Sequence, residues 1–137
     1  MIFNKTTEYA IRVMVFLADS KDSRFSVNRL HRRLNIPYKY LARLMSKLAV
    51  AGLVDVSQGK QGGFRLNPQR SPIYLHEIIN LVEGLENYDR CILGFKQCSD
   101  ENPCSLHHVW AEKKDEIRKI IFNTTLDDID KIKDVKY

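Results

Sequence analysis

Apolar residues along this chain recur at helical spacing in five stretches and alternate only in two short ones. The first stretch starts at Thr6 or Thr7, either of which can cap a helix, and runs to about Ala18. Its residues 13–18, VMVFLA, are apolar all round, which predicts a helix buried on most sides. After the charged loop DSKDSRF, Ser26 caps a short helix, VNRLHRRL, with Val27, Leu30 and Leu34 on one face. Asn35, Ile36 and Pro37 break it, Pro37 suiting the first position of a new helix. YKYLARLMSKLAVAG follows with Leu41, Leu44, Met45 and Leu48 in register until Gly52 stops it. LVDV and FRL then predict two short strands about the glycine-rich turn SQGKQGG, with Asn67-Pro68 ending the second. Ser71-Pro72 opens a helix through about Gly84, with Ile73, Ile78, Ile79, Leu81 and Val82 as its apolar contacts. A last helix, starting at Cys104 or Ser105, presents Leu106, Val109, Trp110, Ala111, Ile117, Ile120 and Ile121 as a broad apolar stripe. The tail DDIDKIKDVKY is polar and expected to fray.

Two amphipathic helices across a three-residue turn, preceded by a buried helix and followed by a hairpin, predict a mainly α fold with a small β-wing. This is a winged helix-turn-helix region over residues 1–70. Residues 71–137 supply a linker helix, a polar loop over 90–108 and a long helix too apolar to stand alone, which must cover the winged region or pair with its own copy. With 137 residues and 44% hydrophobic content the chain can bury a real core without disulfide scaffolding. Lys5, Glu8 and Arg12 interrupt any secretory leader, and no apolar run approaches the roughly 18 residues that span a bilayer, so the expected compartment is the cytoplasm.

Charge sharpens the picture. Residues 1–70 hold 13 Lys and Arg against 4 Asp and Glu, a net of +9, whereas residues 71–137 hold 9 against 13, a net of −4. Only the first half favours a polyanion, and a basic winged helix predicts double-stranded DNA as the partner. Tyr38, Lys39, Arg43 and Lys47 lie on the second, recognition helix, for the major groove. Lys60 sits at the wing tip and Arg65 beside it, for the backbone or minor groove. Gly59, Gly62 and Gly63 could suggest a phosphate cradle, but no helix begins there as such a loop requires.

The candidate chemistry is confined to residues 90–108, RCILGFKQCSDENPCSLHH, which hold all three cysteines, Cys91, Cys98 and Cys104, with His107 and His108 close behind. Buried structural cysteines sit among apolar neighbours; these sit in a polar, turn-forming segment that needs something to hold it. Cytoplasmic thiols stay reduced, so metal binding or redox activity is expected rather than cross-linking. The spacing C-x6-C-x5-C-x2-H lacks the tight cysteine pairs of a zinc finger, and thiolates favour zinc or iron-sulfur clusters. Cys104 and His107, one helical turn apart, could form a thiolate dyad, but no oxyanion hole or orienting third group is recognisable, so no enzyme is expected. An iron-sulfur electron carrier would account for the cysteines yet leave the winged region unexplained, and a fourth cysteine is lacking.

The opening TTEYAIRVMVFLA, the segment NIPYKYLARLMSKLAVAGLV, the wing QGKQGGFRL, then IYLHEIINLVEG, the three cysteines with His107, and the closing TTLDDI occur in order across about residues 1–130. Together they resemble the IscR, NsrR and RirA group of bacterial winged-helix regulators, the Rrf-two type. The resemblance implies a homodimeric transcription factor, usually a repressor, whose DNA binding responds to an iron-sulfur cluster held by the three cysteines. A [2Fe–2S] cluster is favoured, with [4Fe–4S] as the other nuclearity. One departure is that six residues separate the first two cysteines here, against five in IscR. His107 matches the histidine of the IscR pattern and is the favoured fourth ligand, because imidazole suits iron. Glu8 is the alternative, matching the carboxylate that NsrR-type relatives supply from the partner subunit; its ordinary reading is an ion pair with Arg12. His108 points about 100° away and is expected to be dispensable. The other readings are a thiol-redox or zinc-containing winged-helix regulator without a cluster. His76 reads as an ordinary surface histidine.

Overall fold

Helix α1, Lys5–Asp19, lies at the centre of the fold in the computed structural model, which describes residues 2–129. Neither expected threonine caps it. Asn4 does, its side chain accepting the Thr7 N–H at 2.8 Å, while Thr7 is wholly buried and donates its hydroxyl to Glu83 at 2.6 Å. Ala10, Val13, Met14 and Leu17 are fully buried, as an all-round apolar helix requires.

Helix α2, Val27–Leu34, is capped by Ser26 as expected and ends at Asn35, in the left-handed conformation at φ 53°. Asparagine tolerates that conformation better than most residues. Pro37 then stands at the cap position of α3, Tyr38–Val50, one place earlier than expected; its extended backbone, ψ 133°, has not yet entered the helix. Leu41, Leu44, Met45 and Leu48 close on Leu30, Leu34 and Ile36 in a core shared with α1.

Strands β1, Val54–Ser57, and β2, Gly63–Leu66, form the wing in antiparallel register, from Val54 opposite Leu66 to Ser57 opposite Gly63. Leu53, expected in the strand, is buried in the core instead. Phe25 adds a third rung, exchanging two backbone hydrogen bonds with Phe64 at 2.9 and 2.8 Å. This close approach explains the glycine at 63, where a Cβ would stand 2.6 Å from the Phe25 backbone. Asp55 accepts from both Arg24 and Arg65 at 3.0 Å and fastens the wing to the loop before α2.

The next helix, α4, Leu75–Val82, is shorter than expected. Ile73 and Tyr74 are extended because they pair with the far end of the chain: Thr124 accepts from the Leu75 N–H and Ile73 from the Leu126 N–H, each at 2.9 Å. The long helix α5, with charges of both signs on its polar side, runs His107–Asn123, three residues after Cys104 rather than from it. Beyond it a 3₁₀ turn, Leu126–Asp128, packs on α1 and buries Leu126 in the common core. The first residues of the polar tail are therefore ordered by packing, against expectation; residues 130–137 lie outside the described residues. The α5 stripe is only partly covered within this chain: Ile121 is buried, but Val109 and Ile120 are 62% and 61% exposed. Among the described residues no helix is long and apolar enough to cross a membrane.

Candidate metal centre and nucleic-acid interface

A 3₁₀ turn, Glu86–Asp89, delivers the chain from α4 to the cysteine loop, and α5 pins the start of that loop from one face. Trp110 Nε1 donates to the Arg90 carbonyl at 3.0 Å, Lys114 Nζ to the Asp89 carbonyl at 3.1 Å, and Arg118 to the Asp89 carboxylate at 2.6 Å. Within the loop, tight turns replace a core. The Gly94 N–H bonds to the Cys91 carbonyl at 2.9 Å, Ser99 and Asn102 exchange backbone bonds at 3.2 and 3.1 Å, and the His107 N–H returns to the Cys104 carbonyl at 3.1 Å.

These turns gather the donors. The sulfurs of Cys91, Cys98 and Cys104 all lie within 4.8 Å of one another, half-buried and free of disulfides. Cys91 Sγ is 3.6 Å from Cys104 Sγ, and Cys98 Sγ is 3.2 Å from His107 Nδ1. His107 thus faces Cys98, not the Cys104 that its helical spacing suggested; Cys104 precedes the helix. A cavity of about 80 Å³ lies among these four residues, Ile92, Trp110 and Lys114. Burial pushes the Cys91 thiol up, but the N–H groups of Leu93 and Phe95 and the thiols of Cys104 and Cys98 outweigh it and bring it down to about 7. Cys98 moves the other way: the Cys104 N–H favours its thiolate, yet burial and the neighbouring Cys104 and Cys91 sulfurs together hold it up. Three thiols this close resist ionising together unless a cation neutralises them.

The donor set therefore fits a metal centre. Two ligands on one tetrahedral metal at about 2.3 Å stand about 3.8 Å apart, close to the 3.6 Å Cys91/Cys104 separation, and Cys98 with His107 makes a second close pair. On its other side, His107 Nε2 meets the Asp100 carboxylate at 2.8 Å; this hydrogen bond holds Asp100 below its ordinary range. His108 is exposed and meets the His107 ring edge-on at 5.2 Å. Glu8, half-buried on α1, pairs with Lys5 at 3.3 Å, and Arg12 donates to the Leu34 carbonyl at 3.2 Å. His76 is more engaged than a surface histidine, stacked on Phe122 with ring centroids 4.3 Å apart.

Lys39, Arg43 and Lys47 are exposed along α3, opposite its buried leucines, and Tyr38 is 50% exposed at its start, edge-on to His31. Lys60 is exposed at the wing tip. Arg65 differs from them, since its guanidinium is bonded to Asp55. Sequence reasoning overlooked Lys114 as a lining residue, although it follows His107 by seven positions on one helical face. It had no means of finding Glu83, whose partners Asn4 and Thr7 lie far along the chain, and it passed over Asp100, whose partner His107 is seven residues on.

The family model described as Rrf2, iron-dependent transcriptional regulator, matches residues 3–131. The chain is 34% identical over 131 residues to an Aquifex aeolicus (strain VF5) protein described as an HTH-type transcriptional regulator, covering 94% of this chain and 91% of that one. It is 29% identical over 128 residues to the HTH-type transcriptional regulator IscR of Pectobacterium atrosepticum, covering 93% and 77%. Among solved structures it is similar to CymR, the global cysteine regulator of B. subtilis, with a TM-score of 0.75, 26% identity and coverage of 93% and 95%. The winged helical fold and these matches along nearly the whole chain make it a member of the Rrf2 family of transcriptional regulators.

Proposed function

We propose that the chain acts in the cytoplasm as a homodimeric repressor, not an enzyme, and that an iron-sulfur cluster held by Cys91, Cys98, Cys104 and His107 switches its grip on operator DNA. The observation that carries this reading is the meeting of three thiols and an imidazole at one half-buried spot, in a loop whose start is pinned to α5. A [2Fe–2S] cluster is the favoured occupant, with [4Fe–4S] as the other nuclearity, and Cys91, Cys98, Cys104 and His107 would hold it. When bound, the cluster would supply positive charge that offsets the thiolates and an inorganic core that oxidant, nitric oxide or iron shortage can disturb.

Residues 1–70 read the DNA, with Tyr38, Lys39, Arg43 and Lys47 of α3 in the major groove and Lys60 against the backbone. Arg65 serves through Asp55 by holding the wing in place. Residues 71–137 supply the cluster loop and the dimer contact, where the exposed Val109 and Ile120 of α5 meet their copies. Glu8 of the partner copy is the alternative fourth ligand. Contiguous bonds lead from the loop to the winged half. Trp110 holds Arg90, Tyr88 donates to Glu83, and Glu83 accepts from Thr7 and Asn4 at the start of α1. Changing the loop's geometry thereby biases two states with different DNA affinity.

The test is anaerobic reconstitution followed by iron, sulfide and zinc analysis, Mössbauer spectra, and duplex retardation by apo and holo protein. A coloured protein whose two forms retard a duplex differently is expected. Stoichiometric zinc without iron or sulfide overturns the cluster. A second reading has its own observation: Cys91 and Cys104, 3.6 Å apart, could close into a disulfide with little movement, making a thiol-sensing regulator. In that case apo protein would lose one thiol pair to a mild oxidant and change its retardation with no metal involved.

A further inference from the structure

Asp100 belongs to no motif, yet its Oδ1 lies 2.8 Å from His107 Nε2, while the other ring nitrogen, Nδ1, lies 3.2 Å from Cys98 Sγ. A carboxylate only accepts hydrogen bonds, so Nε2 carries a proton. A neutral imidazole has a single N–H, which leaves Nδ1 with its lone pair turned toward the thiols. We propose that Asp100 is a positioning residue, fixing the tautomer and ring angle of His107 so that Nδ1 is the nitrogen offered to the metal centre. Carboxylate partners of metal-bound histidines do this generally. The inference rests on His107 being the fourth ligand.

The surroundings suit this role. The His107 side chain is 17% exposed and that of Asp100 93%, so the pair has an inner face on the thiols and an outer face in water. Solvent screens the charge of such an exposed carboxylate. What Asp100 contributes is therefore direction, and a neutral acceptor in the same place should serve nearly as well. The exchanged backbone bonds of Ser99 and Asn102 fix the turn that carries Asp100, so the acceptor is held rather than free to wander. The neighbouring His108 meets His107 edge-on, with ring centroids 5.2 Å apart, and lies beside the same carboxylate, whose hydrogen bond goes to His107.

The experiment uses the full chain, reconstituted anaerobically, as wild type, Asp100→Ala, Asp100→Asn, His107→Ala and the double Asp100→Ala/His107→Ala. Two readouts are followed: decay of the visible spectrum in air, and nitrogen hyperfine couplings in pulsed EPR of the reduced cluster. Asp100→Ala should decay about tenfold faster, at the low end of what losing such a partner costs in metal affinity, with altered nitrogen couplings. Asp100→Asn should restore both, and the double variant should match His107→Ala. Wild-type behaviour in Asp100→Ala beside an impaired His107→Ala overturns the inference alone. So does an equal acceleration by Asp100→Ala in the His107→Ala background, which would mark Asp100 as a loop residue only. A His107→Ala protein with normal spectrum and lifetime overturns the fourth-ligand reading and this inference together.

Discussion

Arg43 and Lys60 carry the same charge in different settings, and their substitutions should separate. Arg43 is exposed on the second helix of the helix-turn-helix and Lys60 is exposed at the wing tip; in the proposed complex Arg43 reads a base edge and Lys60 meets the backbone. Arg43→Ala should cost about 1–3 kcal/mol of operator binding and relax sequence preference, whereas Lys60→Ala should weaken all sequences alike and lower the salt slope by about one. Binding titrations over a salt series on operator and scrambled duplexes measure both. Arg65→Ala should instead resemble Asp55→Ala, because the two side chains hold each other. At the proposed metal centre, alanine at Cys91, Cys98 or Cys104 should each yield a colourless or short-lived holo-protein, followed by visible absorption after reconstitution. The donors were legible as residue types, since thiols in a polar loop have no packing reason to be there. Their pairing was not: helical spacing joined His107 to Cys104, and only the turns of the loop bring it to Cys98.

Among elements, the joint between α1 and α4 has the clearest consequence. Glu83, just past α4, accepts from the Asn4 N–H at 3.0 Å, the Thr7 hydroxyl and the Tyr88 hydroxyl. Burial raises its carboxyl, but these three bonds outweigh burial and hold it below the ordinary 4.5. A carboxylate depressed on folding contributes stability that is complete above about 4.5 and disappears as pH falls through the lower folded value. Glu83→Gln should therefore cost about 1–3 kcal/mol near neutrality, and the gap from wild type should shrink below pH 4.5, as denaturant melts at several pH values would show. Among the described residues, periodicity and turn residues located the five α-helices and both strands of the wing, but none of the 3₁₀ turns. They misplaced the start of α4, because an extended Ile73-Tyr74 is dictated by Thr124 and Leu126, some fifty residues away. Likewise Asn4 takes the cap because Thr7 is drawn inward by Glu83, a partner that no local pattern announces.

For the whole molecule, the uncovered stripe on α5 is the contact proposed to join two copies, and it can be tested directly. Val109→Glu with Ile120→Glu places charge on that face while leaving the core untouched, so circular dichroism should be unchanged, the sedimenting mass should fall to one chain and operator affinity should drop. Leu126→Ala tests the opposite case, a buried residue remote from DNA and thiols. It should cost about 2–5 kcal/mol in denaturant melts while leaving the reconstituted spectrum alone. The turn that carries Leu126 has a further consequence for the order in which the core closes. Helices α2 and α3 reach α1 from nearby in sequence, but part of its apolar surface is covered by the Leu126–Asp128 turn, which comes from far along the chain. Contacts of such long sequence separation carry the largest loop-closure cost and form late. Loosening that turn should therefore open α1 to a hydrophobic dye before it disturbs the helix-turn-helix.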